Sequence, residues 1–264
     1  MSETCLLSIV VITLNEAHNI RDCLESVRWA DEIIVVDSGS TDGTQEICRE
    51  YTENVFVMDW PGFGMQKNRA LEKASGQWVL SIDADERVTK KLRDEIQRRI
   101  SPDTSERTAS NNVVAFSIPR LSNYCGRFLR HGGWWPDRVV RLFLRSKAYF
   151  DDAPIHERLL VDGKVGKIKS HLLHYTFRDL NQVLDTVNRY STAGAQMKCE
   201  QGKQGGLTKA VSHGVWMFFR TYVFKAGFLD GREGFMLAVS NAEGAYYKYL
   251  KLCYLNRDNK IADK

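Results

Sequence analysis

The chain has 264 residues, of which 43% are hydrophobic and 27% charged, and its formal net charge is +4. This length accommodates one large domain, or one domain with an appendage, and the composition is that of a folded globular protein. The mild positive charge excludes no anionic partner: a sugar nucleotide, a phospholipid and a nucleic acid all fit it.

The six cysteines exclude two kinds of small scaffold. None of them stands at CxxC spacing, so neither a zinc site nor a disulfide framework is expected, and scattered cysteines suit a reducing cytoplasm. The first apolar run is short, β-branched and not preceded by a basic segment, so we expect a strand there and not a secretory signal. No stretch approaches the roughly 20 apolar residues that a membrane span requires.

The first hundred residues alternate between two patterns. Nearly continuous apolar runs predict strands that are covered on both faces, and apolar residues three and four positions apart predict helices. The predicted strands are 6–14, 32–37, 54–58 and 77–83, and the predicted helices are 17–29, 44–51, 64–75 and 89–100. This order predicts an α/β fold, with a mostly parallel sheet and helices on both faces. Ligands of such sheets bind outside the carboxyl ends of the strands.

The remaining chain predicts a mixed second half followed by helices. A polar loop is expected over 101–112, strands are expected over 113–120 and 138–144, and a helical pattern rich in aromatic and basic residues begins near 176. The sequence predicts a catalytic domain over 1–175 and a helical C-terminal extension over 176–264. The catalytic domain has a nucleotide-sugar-binding half, 1–100, and an acceptor and catalytic half, 112–175.

Three acids follow the fourth predicted strand, in the stretch SIDADE. Asp83 and Asp85 flank Ala84, so in an extended segment both carboxylates point to the same side. Two neighbouring carboxylates need a cation between them, and Mg²⁺ or Mn²⁺ bound by carboxylates and substrate phosphates meets that need. An isolated motif of this kind is more often a solvated turn. Its position at the end of a buried strand favours a metal and nucleotide site.

Polar residues also end the other predicted strands. Thr13, Asn15 and Glu16 follow the first strand, where they would line a nucleoside pocket, or where Asn15 and Glu16 would only cap a helix. Asp37 ends the second strand; its carboxylate suits a base N–H or a ribose hydroxyl, or it only caps the following turn. Lys67 and Arg69 lie at the start of a helix or within its first turns, and either suits a diphosphate, although charged residues there usually face solvent. Asp42 is expected to be a cap or turn former.

Four stretches, in this order and spacing, resemble glycosyltransferase family 2: VVITLNEAHNI, IIVVDSGSTDGT, QKNRALEKASGQW and LSIDADE. The resemblance covers residues 1–100. It implies a GT-A fold with a Rossmann-like nucleotide-binding sheet, a nucleotide-sugar donor, inverting transfer and a divalent metal. It assigns Asp37 to a uracil contact, Lys67 to a basic contact near the nucleotide, and Asp83 and Asp85 to the DxD motif. The family usually has arginine where this chain has Lys67.

An inverting transfer needs a general base near the acceptor hydroxyl. The stretch DDAPIHERLL, residues 151–160, offers carboxylates and a histidine. Glu157 is the expected base, because it follows a turn and precedes a strand-like segment that would hold it rigidly. His156 is expected to ligate the metal or to contact phosphate. The alternative is that His156 and Glu157 merely alternate across a strand, one buried and one solvated.

The stretch HGGWWPDRVVRLF, residues 131–143, is the expected acceptor region. Trp134 and Trp135 suit stacking on the apolar face of a sugar ring. Arg138 and Arg141 suit the leaving diphosphate or acceptor phosphates. The equally weighted alternative is that the tryptophans are ordinary core and that the arginines are solvated strand positions.

Three further stretches, PDRVVRLF, PIHERL and KAGFLDGREGF, resemble one bacterial branch of the family. This branch comprises the lipopolysaccharide inner-core β-1,4-glucosyltransferases of the WaaE/KdtX type. The resemblance implies UDP-glucose as donor and the first core heptose as acceptor. A polyprenyl-phosphate or other glycolipid acceptor is the alternative, since sister enzymes use other substrates on similar scaffolds. A sugar-nucleotide sensor without turnover is the non-enzymatic alternative.

Aromatic and basic residues alternate at helical spacing over 207–254. Such helices either lie in a membrane interface beside anionic lipid or pack as a core on the main domain. A lipid-anchored acceptor implies a cytoplasmic enzyme, peripheral at the inner face of the inner membrane. A nucleic-acid partner is not expected, because the net charge is modest and the interleaving is confined to this tail.

Overall fold

The computed structural model describes residues 5–101, 112–151 and 157–262. The chain divides into two compact units. The first comprises Met1–Arg120 and Asp137–His174, and the second comprises Leu121–Pro136 and Tyr175–Lys264. The helical extension expected from 176 onward lies in the second unit, together with the segment 121–136, which sequence analysis had assigned to the catalytic domain.

The first unit begins with four parallel strands, which lie side by side in the order β3-β2-β1-β4. These strands are β1 (Leu7–Thr13), β2 (Glu32–Asp37), β3 (Val55–Val57) and β4 (Trp78–Asp83). In the register of β1, Thr13 lies opposite Asp37 on one side and Ile12 lies opposite Asp83 on the other. The carboxyl ends of the three longer strands therefore meet at one edge of the sheet.

Helices cover both faces of this sheet. They are α1 (Ala17–Val27), α2 (Thr44–Arg49), α3 (Phe63–Lys73) and α4 (Lys90–Ile100). Because successive strand residues point to opposite faces, Val11 packs in one core cluster with Ile20 of α1 and Ile96 of α4. The preceding residue, Val10, packs in the other cluster with Ala70 of α3. The predicted α/β class, with helices on both faces, is confirmed.

The later strands form the predicted mixed half. They are β5 (Glu86–Val88), β6 (Val113–Tyr124), β7 (Arg127–Phe128), β8 (Asp137–Leu144), β9 (Ala148–Phe150), β10 (Leu159–Val161), β11 (Lys164–Lys167) and β12 (Leu172–Phe177). Strand β8 runs antiparallel to both β4 and β6, and β12 runs antiparallel to β5 with His174 opposite Glu86. Sequence analysis missed β5, β7, β9, β11 and β12, because most of them are too short to show a period.

The second unit is mainly helical, as predicted. Its helices are α5 (Leu180–Glu200), α6 (Leu207–Phe219) and α7 (Gly231–Ala262). Helix α7 packs against both α5 and α6. A Cβ atom on Gly214 would lie 3.3 Å from the carbonyl oxygen of Ala242, so glycine permits the close approach of α6 to α7. In the described part of the chain, none of the helices is long and apolar enough to cross a membrane.

Candidate active site

Asp37 is fully buried and organises the turn after β2. Its carboxylate accepts hydrogen bonds from the backbone N–H groups of Gly39 (3.0 Å) and Ser40 (2.8 Å), and from Nε2 of Gln45 (2.8 Å). The hydroxyl of Ser40 donates to the second carboxylate oxygen. Asp37 therefore caps this turn. A contact from Asp37 to uracil stays a prediction, since most of its acceptor capacity is already used.

The loop after β1 is tied to this turn by Asn15 and Glu16. Asn15 has a left-handed φ of 56°, a conformation in which asparagine is enriched. Its Oδ1 accepts from the N–H of Thr41 at 2.9 Å, and its own N–H donates to Oγ of Ser40 at 2.8 Å. The N–H of Glu16 donates to Oγ1 of Thr44 at 2.8 Å. Two loops that end neighbouring strands are thus held as one surface.

Asp42 joins the same two loops, as the turn-former prediction required. Its carboxylate accepts from the N–H of Ala17 at 3.0 Å and from the N–H of Thr44 at 3.1 Å. The hydrogen bond from the Thr44 hydroxyl is the main cause that lowers the pKa of Asp42. Asp42 therefore caps the first turn of α1 as well as that of α2.

Thr13, at the end of β1, is buried, and its Oγ1 has no hydrogen-bond partner among the described residues. A buried hydroxyl without a partner costs free energy. Thr13 lies opposite Asp37, so this buried hydroxyl stands where the ends of β1 and β2 meet.

Glu16 and Asp85 concentrate negative charge next to one another. Burial raises the pKa of Glu16; the hydrogen bond from Asn19 opposes this shift, and the charge of Asp85 adds to it. Asp85 itself lies beside His174 of β12, with Nε2 of the histidine 3.2 Å from the carboxylate Oδ2. Ala84, between the two motif acids, is buried, and its carbonyl oxygen accepts from Arg87 at 2.9 Å.

Asp83 lies against two buried cations. The Arg141 guanidinium contacts Asp83 and also reaches Glu86 at 2.8 Å, while the Nζ atom of Lys67 is 3.5 Å from Oδ1 of Asp83. Burial raises the pKa of Asp83, but the charges of Arg141 and Lys67 outweigh burial and hold it well below its usual range. Arg141 is buried, unlike a solvated strand position, and it contacts Asp83 and Glu86; its contact with a diphosphate or with acceptor phosphates stays a prediction.

The expected base, Glu157, contacts the same lysine. Oε1 of Glu157 is 2.7 Å from Nζ of Lys67, which also lies 5.3 Å from the ring centroid of Phe150. The side chain of Asn68 exchanges two hydrogen bonds with the backbone of Phe150, at 2.8 Å and 2.9 Å. Helix α3 therefore holds the end of β9 in place. Lys67 thereby lies between the candidate base and the motif acid Asp83.

Gly64 permits this arrangement, and sequence analysis did not identify it. A Cβ atom on Gly64 would overlap the carbonyl oxygen of Asp151 and would lie 3.5 Å from Cβ of Glu157. Only glycine therefore lets the Asp151 backbone approach α3 so closely. No local pattern signals this requirement, because the contacting backbone is distant in sequence.

The expected metal ligands are only partly brought together. Within 5–101, 112–151 and 157–262, no group of three or more His, Cys, Asp and Glu side chains is arranged to hold a metal ion. The pair formed by Asp85 and His174 offers one carboxylate and one imidazole, a donor set that fits a cation completed by diphosphate oxygens. His156, the predicted ligand, lies outside the described residues. His174 was missed, because an isolated histidine in a strand carries no motif.

The four expected acceptor residues fall in two units. In the second unit, the Trp134 ring lies 5.8 Å from that of Tyr124 and 6.0 Å from that of Phe177, as in a core cluster, while Trp135 lies against the Arg130 guanidinium. In the first unit, Arg138 donates to two backbone carbonyl groups, those of Ser117 at 3.2 Å and Ile168 at 3.1 Å.

Comparison with known proteins gave consistent results. The sequence profile of glycosyl transferase family 2 matches residues 8–105. The chain is 31% identical to the lipopolysaccharide core biosynthesis glycosyltransferase LpsC of Rhizobium meliloti, over 92% of this chain and 89% of that protein. It is 28% identical to an uncharacterized glycosyltransferase of Rickettsia felis, over 98% of this chain and 92% of that protein.

Among solved structures, the chain is similar to S. aureus TarS 1-349 in complex with UDP-GlcNAc. The sequence identity is 14%, the TM-score is 0.47, and the alignment covers 96% of this chain and 92% of that chain.

Proposed function

Because the chain belongs to glycosyltransferase family 2, we propose that it transfers glucose from UDP-glucose to the first heptose of the lipopolysaccharide inner core, with inversion at the anomeric carbon. One observation carries this proposal. Lys67 lies 2.7 Å from the candidate base Glu157 and 3.5 Å from the DxD acid Asp83. An inverting transferase requires a base beside its nucleotide-sugar site. The lipopolysaccharide core function named for the Rhizobium relative supports the acceptor class.

The nucleoside would lie over the joined loops after β1 and β2. There the Thr13 hydroxyl has no partner among the described residues and can accept or donate to the ligand. Asp37 holds the shape of this surface through the turn it caps, and Asn15 holds the two loops together. The donor would thus be placed with its diphosphate toward Asp83 and Asp85.

Glu157 would take the proton from the acceptor hydroxyl. The acceptor oxygen then forms a bond to the anomeric carbon from the face opposite the nucleotide, and the bond from that carbon to the UDP oxygen breaks. UDP leaves with the electron pair, and the configuration inverts. Lys67 holds the Glu157 carboxylate in place and balances its charge beside Asp83.

A divalent cation, Mg²⁺ or Mn²⁺, would be held by Asp85 and His174 together with diphosphate oxygens. When bound, it would neutralise the charge that develops on the departing diphosphate. Arg141 already balances Asp83 and Glu86, so the negative charge left to attract a cation is mainly that of Asp85, with Glu16 nearby. This distribution favours Asp85 as the carboxylate ligand.

Transfer of labelled glucose from UDP-glucose to lipopolysaccharide with a heptose-terminated inner core tests the proposal directly. The assay is run with Mg²⁺, with Mn²⁺ and with chelator, and the anomeric configuration of the product is determined by NMR. We expect metal-dependent formation of a β-linked product. Retention of configuration would contradict the single-displacement mechanism, and transfer only to polyprenyl phosphate would replace the acceptor.

The variant Glu157→Gln tests the base. It should lower kcat by roughly 10²–10⁴-fold while leaving UDP binding intact. The matched control is Asp162→Asn, an exposed acid in the first unit that pairs only with Lys147 among the described residues. Unchanged kcat in Glu157→Gln would refute the assigned base.

UDP-sugar binding by the original chain without transfer to any core or lipid-phosphate acceptor would favour the sensor alternative.

A lipid-anchored acceptor would bring this enzyme to the inner face of the inner membrane. This location is part of the proposal, and fractionation of cells that produce the chain tests it. We expect the protein in the membrane fraction at low salt and its partial release by high salt. Recovery in the soluble fraction alone, at low salt and with acceptor present, would contradict it.

A further inference from the structure

Helix α6 and the turn after it expose large apolar side chains. Four of them recur every fourth residue, which places them on one side of the helix, and two aromatic residues extend the same region. We call this set the α6 apolar face: Leu207, Val211, Val215, Trp216, Phe219 and Phe224. Phe224 is 68% exposed and Trp216 is 54% exposed. Contiguous exposed apolar patches of this kind mark interaction sites in soluble proteins.

Helix α6 leaves most of its large side chains exposed. The side that meets α7 carries small residues: Ala210 and Gly214 are buried, and Gly214 approaches the backbone of Ala242. Phe218 also packs on this side, 5.6 Å from the ring of Phe235 of α7, whereas the large side chains of the α6 apolar face remain exposed. A helix that only completed a core would bury its large residues, because their burial contributes most of the hydrophobic stabilisation.

The charged residues in the chain segment that carries this face are all basic. Residues 201–229 include no Asp or Glu, whereas Lys203, Lys209, Arg220 and Lys225 are all basic and exposed. Lys209 and Arg220 lie on the side of α6 that also carries Trp216, seven and four residues away. The next acid, Asp230, is buried and bonded to Arg130 and His131, so it is not part of the exposed surface.

We propose that the α6 apolar face docks on the surface of an anionic phospholipid bilayer, with α6 lying in the plane of the interface. An apolar stripe beside exposed lysines and arginines is the composition of helices that bind such surfaces. Trp216 lies between stripe and cations, at the depth where amphipathic rings are enriched. A second copy of the chain fits less well as the partner. A symmetric contact would place the basic residues of one copy near the same basic residues of the other, and like charges repel.

This proposal uses no residue of the candidate active site. It can therefore be tested on vesicles that contain neither donor nor acceptor, and its failure would leave the proposed transfer untouched. The full chain is sedimented with mixed phosphatidylcholine–phosphatidylglycerol vesicles and, separately, with pure phosphatidylcholine vesicles. We expect clear binding to the anionic vesicles only, weakening as salt is added. Equal partitioning into both vesicles, or into neither, would overturn the proposal.

Two sets of variants separate the apolar and ionic contributions. Trp216→Ser combined with Phe224→Ser should weaken vesicle binding at least about tenfold, because two aromatic rings no longer enter the interface. Leu184→Ser on α5 is the matched control, since Leu184 is also 54% exposed. Neutralising Lys209 and Arg220 to Gln should cost about fivefold per charge, with Arg189→Gln on α5 as the control.

Circular dichroism of each variant establishes that it is folded. Vesicle binding that is unchanged in the Trp216 and Phe224 variant would overturn the assignment of this face. A second result would also overturn it: the original chain is a dimer in sedimentation equilibrium and does not bind vesicles, and the Trp216 and Phe224 variant is a monomer. The face would then be a contact between copies.

Discussion

The ammonium group of Lys67 lies 2.7 Å from a carboxylate oxygen of Glu157, a residue 90 positions further along the chain. The lysine is almost fully buried and is also 3.5 Å from Asp83. One cation therefore holds two acids from distant segments at one place. This contact explains how Glu157 is positioned beside Asp83, the first acid of the DxD motif.

Replacing Lys67 with Met should lower the free energy of unfolding by about 3 kcal/mol, because it leaves buried carboxylate charge without its partner. The double variant with Glu157→Gln should lose less than the sum of the two single variants. Urea unfolding of the four proteins measures this coupling. Lys73→Met, an exposed lysine on the same helix, is the control. Strict additivity would show that the pair does not interact in solution.

Replacing Gly64 with Ala should reduce kcat about 100-fold, since a displacement of roughly 1 Å at a catalytic group has an effect of this size. The added methyl group would overlap the carbonyl oxygen of Asp151 and displace its backbone, whose N–H donates to the carbonyl of Arg158 next to Glu157. UDP binding, measured by calorimetry, should change little. The control is Gly206→Ala, where an added Cβ meets nothing within 4 Å. Equal kcat in both variants would contradict the packing argument.

Asp230→Ala should destabilise the second unit by about 2–4 kcal/mol. Asp230 accepts from the backbone N–H groups of Arg130 (3.0 Å) and His131 (2.7 Å), and from Nδ1 of His131 (3.0 Å). Buried donors that lose their acceptor carry the full desolvation cost. Denaturation followed by tryptophan fluorescence measures this loss, since Trp134, Trp135 and Trp216 lie in the second unit. The exposed acid Asp185, on α5, supplies the control variant Asp185→Ala, which should unfold like the original chain.

Glu95 should make stability depend on pH. Burial raises its pKa, but hydrogen bonds from the backbone of Lys169 (3.0 Å) and Ser170 (2.9 Å), with that from the Ser170 hydroxyl, outweigh burial and lower it. Because the folded pKa is depressed, the stabilisation is complete above the ordinary glutamate pKa, about 4.3. It is lost as the pH falls through the lower, folded value.

The variant Glu95→Gln checks this sign. At neutral pH its free energy of unfolding should be lower than that of the original chain by roughly 1–2 kcal/mol, and its Tm should be lower as well. The difference should shrink below about pH 4, as Glu95 in the original chain becomes neutral. Asp94→Asn, an exposed neighbour on α4, should show little difference. A Tm difference that is the same at all pH values would rule out a charge-dependent role.

Local pattern alone determined the framework of this protein. The strand predicted over 32–37 is observed as Glu32–Asp37, and the strand predicted over 6–14 is observed as Leu7–Thr13. A parallel strand covered on both faces must be apolar throughout, so its signature is contained in its own residues. The position of the DxD motif at the end of β4 follows from the same reasoning.

Only the tertiary structure decided which partners these acids have. Arg141 reaches Asp83 across 58 residues because β8 pairs with β4, and His174 reaches Asp85 because β12 pairs with β5. Lys67 meets Glu157 because Gly64 admits the Asp151 backbone. Such contacts depend on strand order and close packing, and these are properties of the whole chain. Sequence pattern therefore identified the acids, and the fold determined which basic side chains contact them.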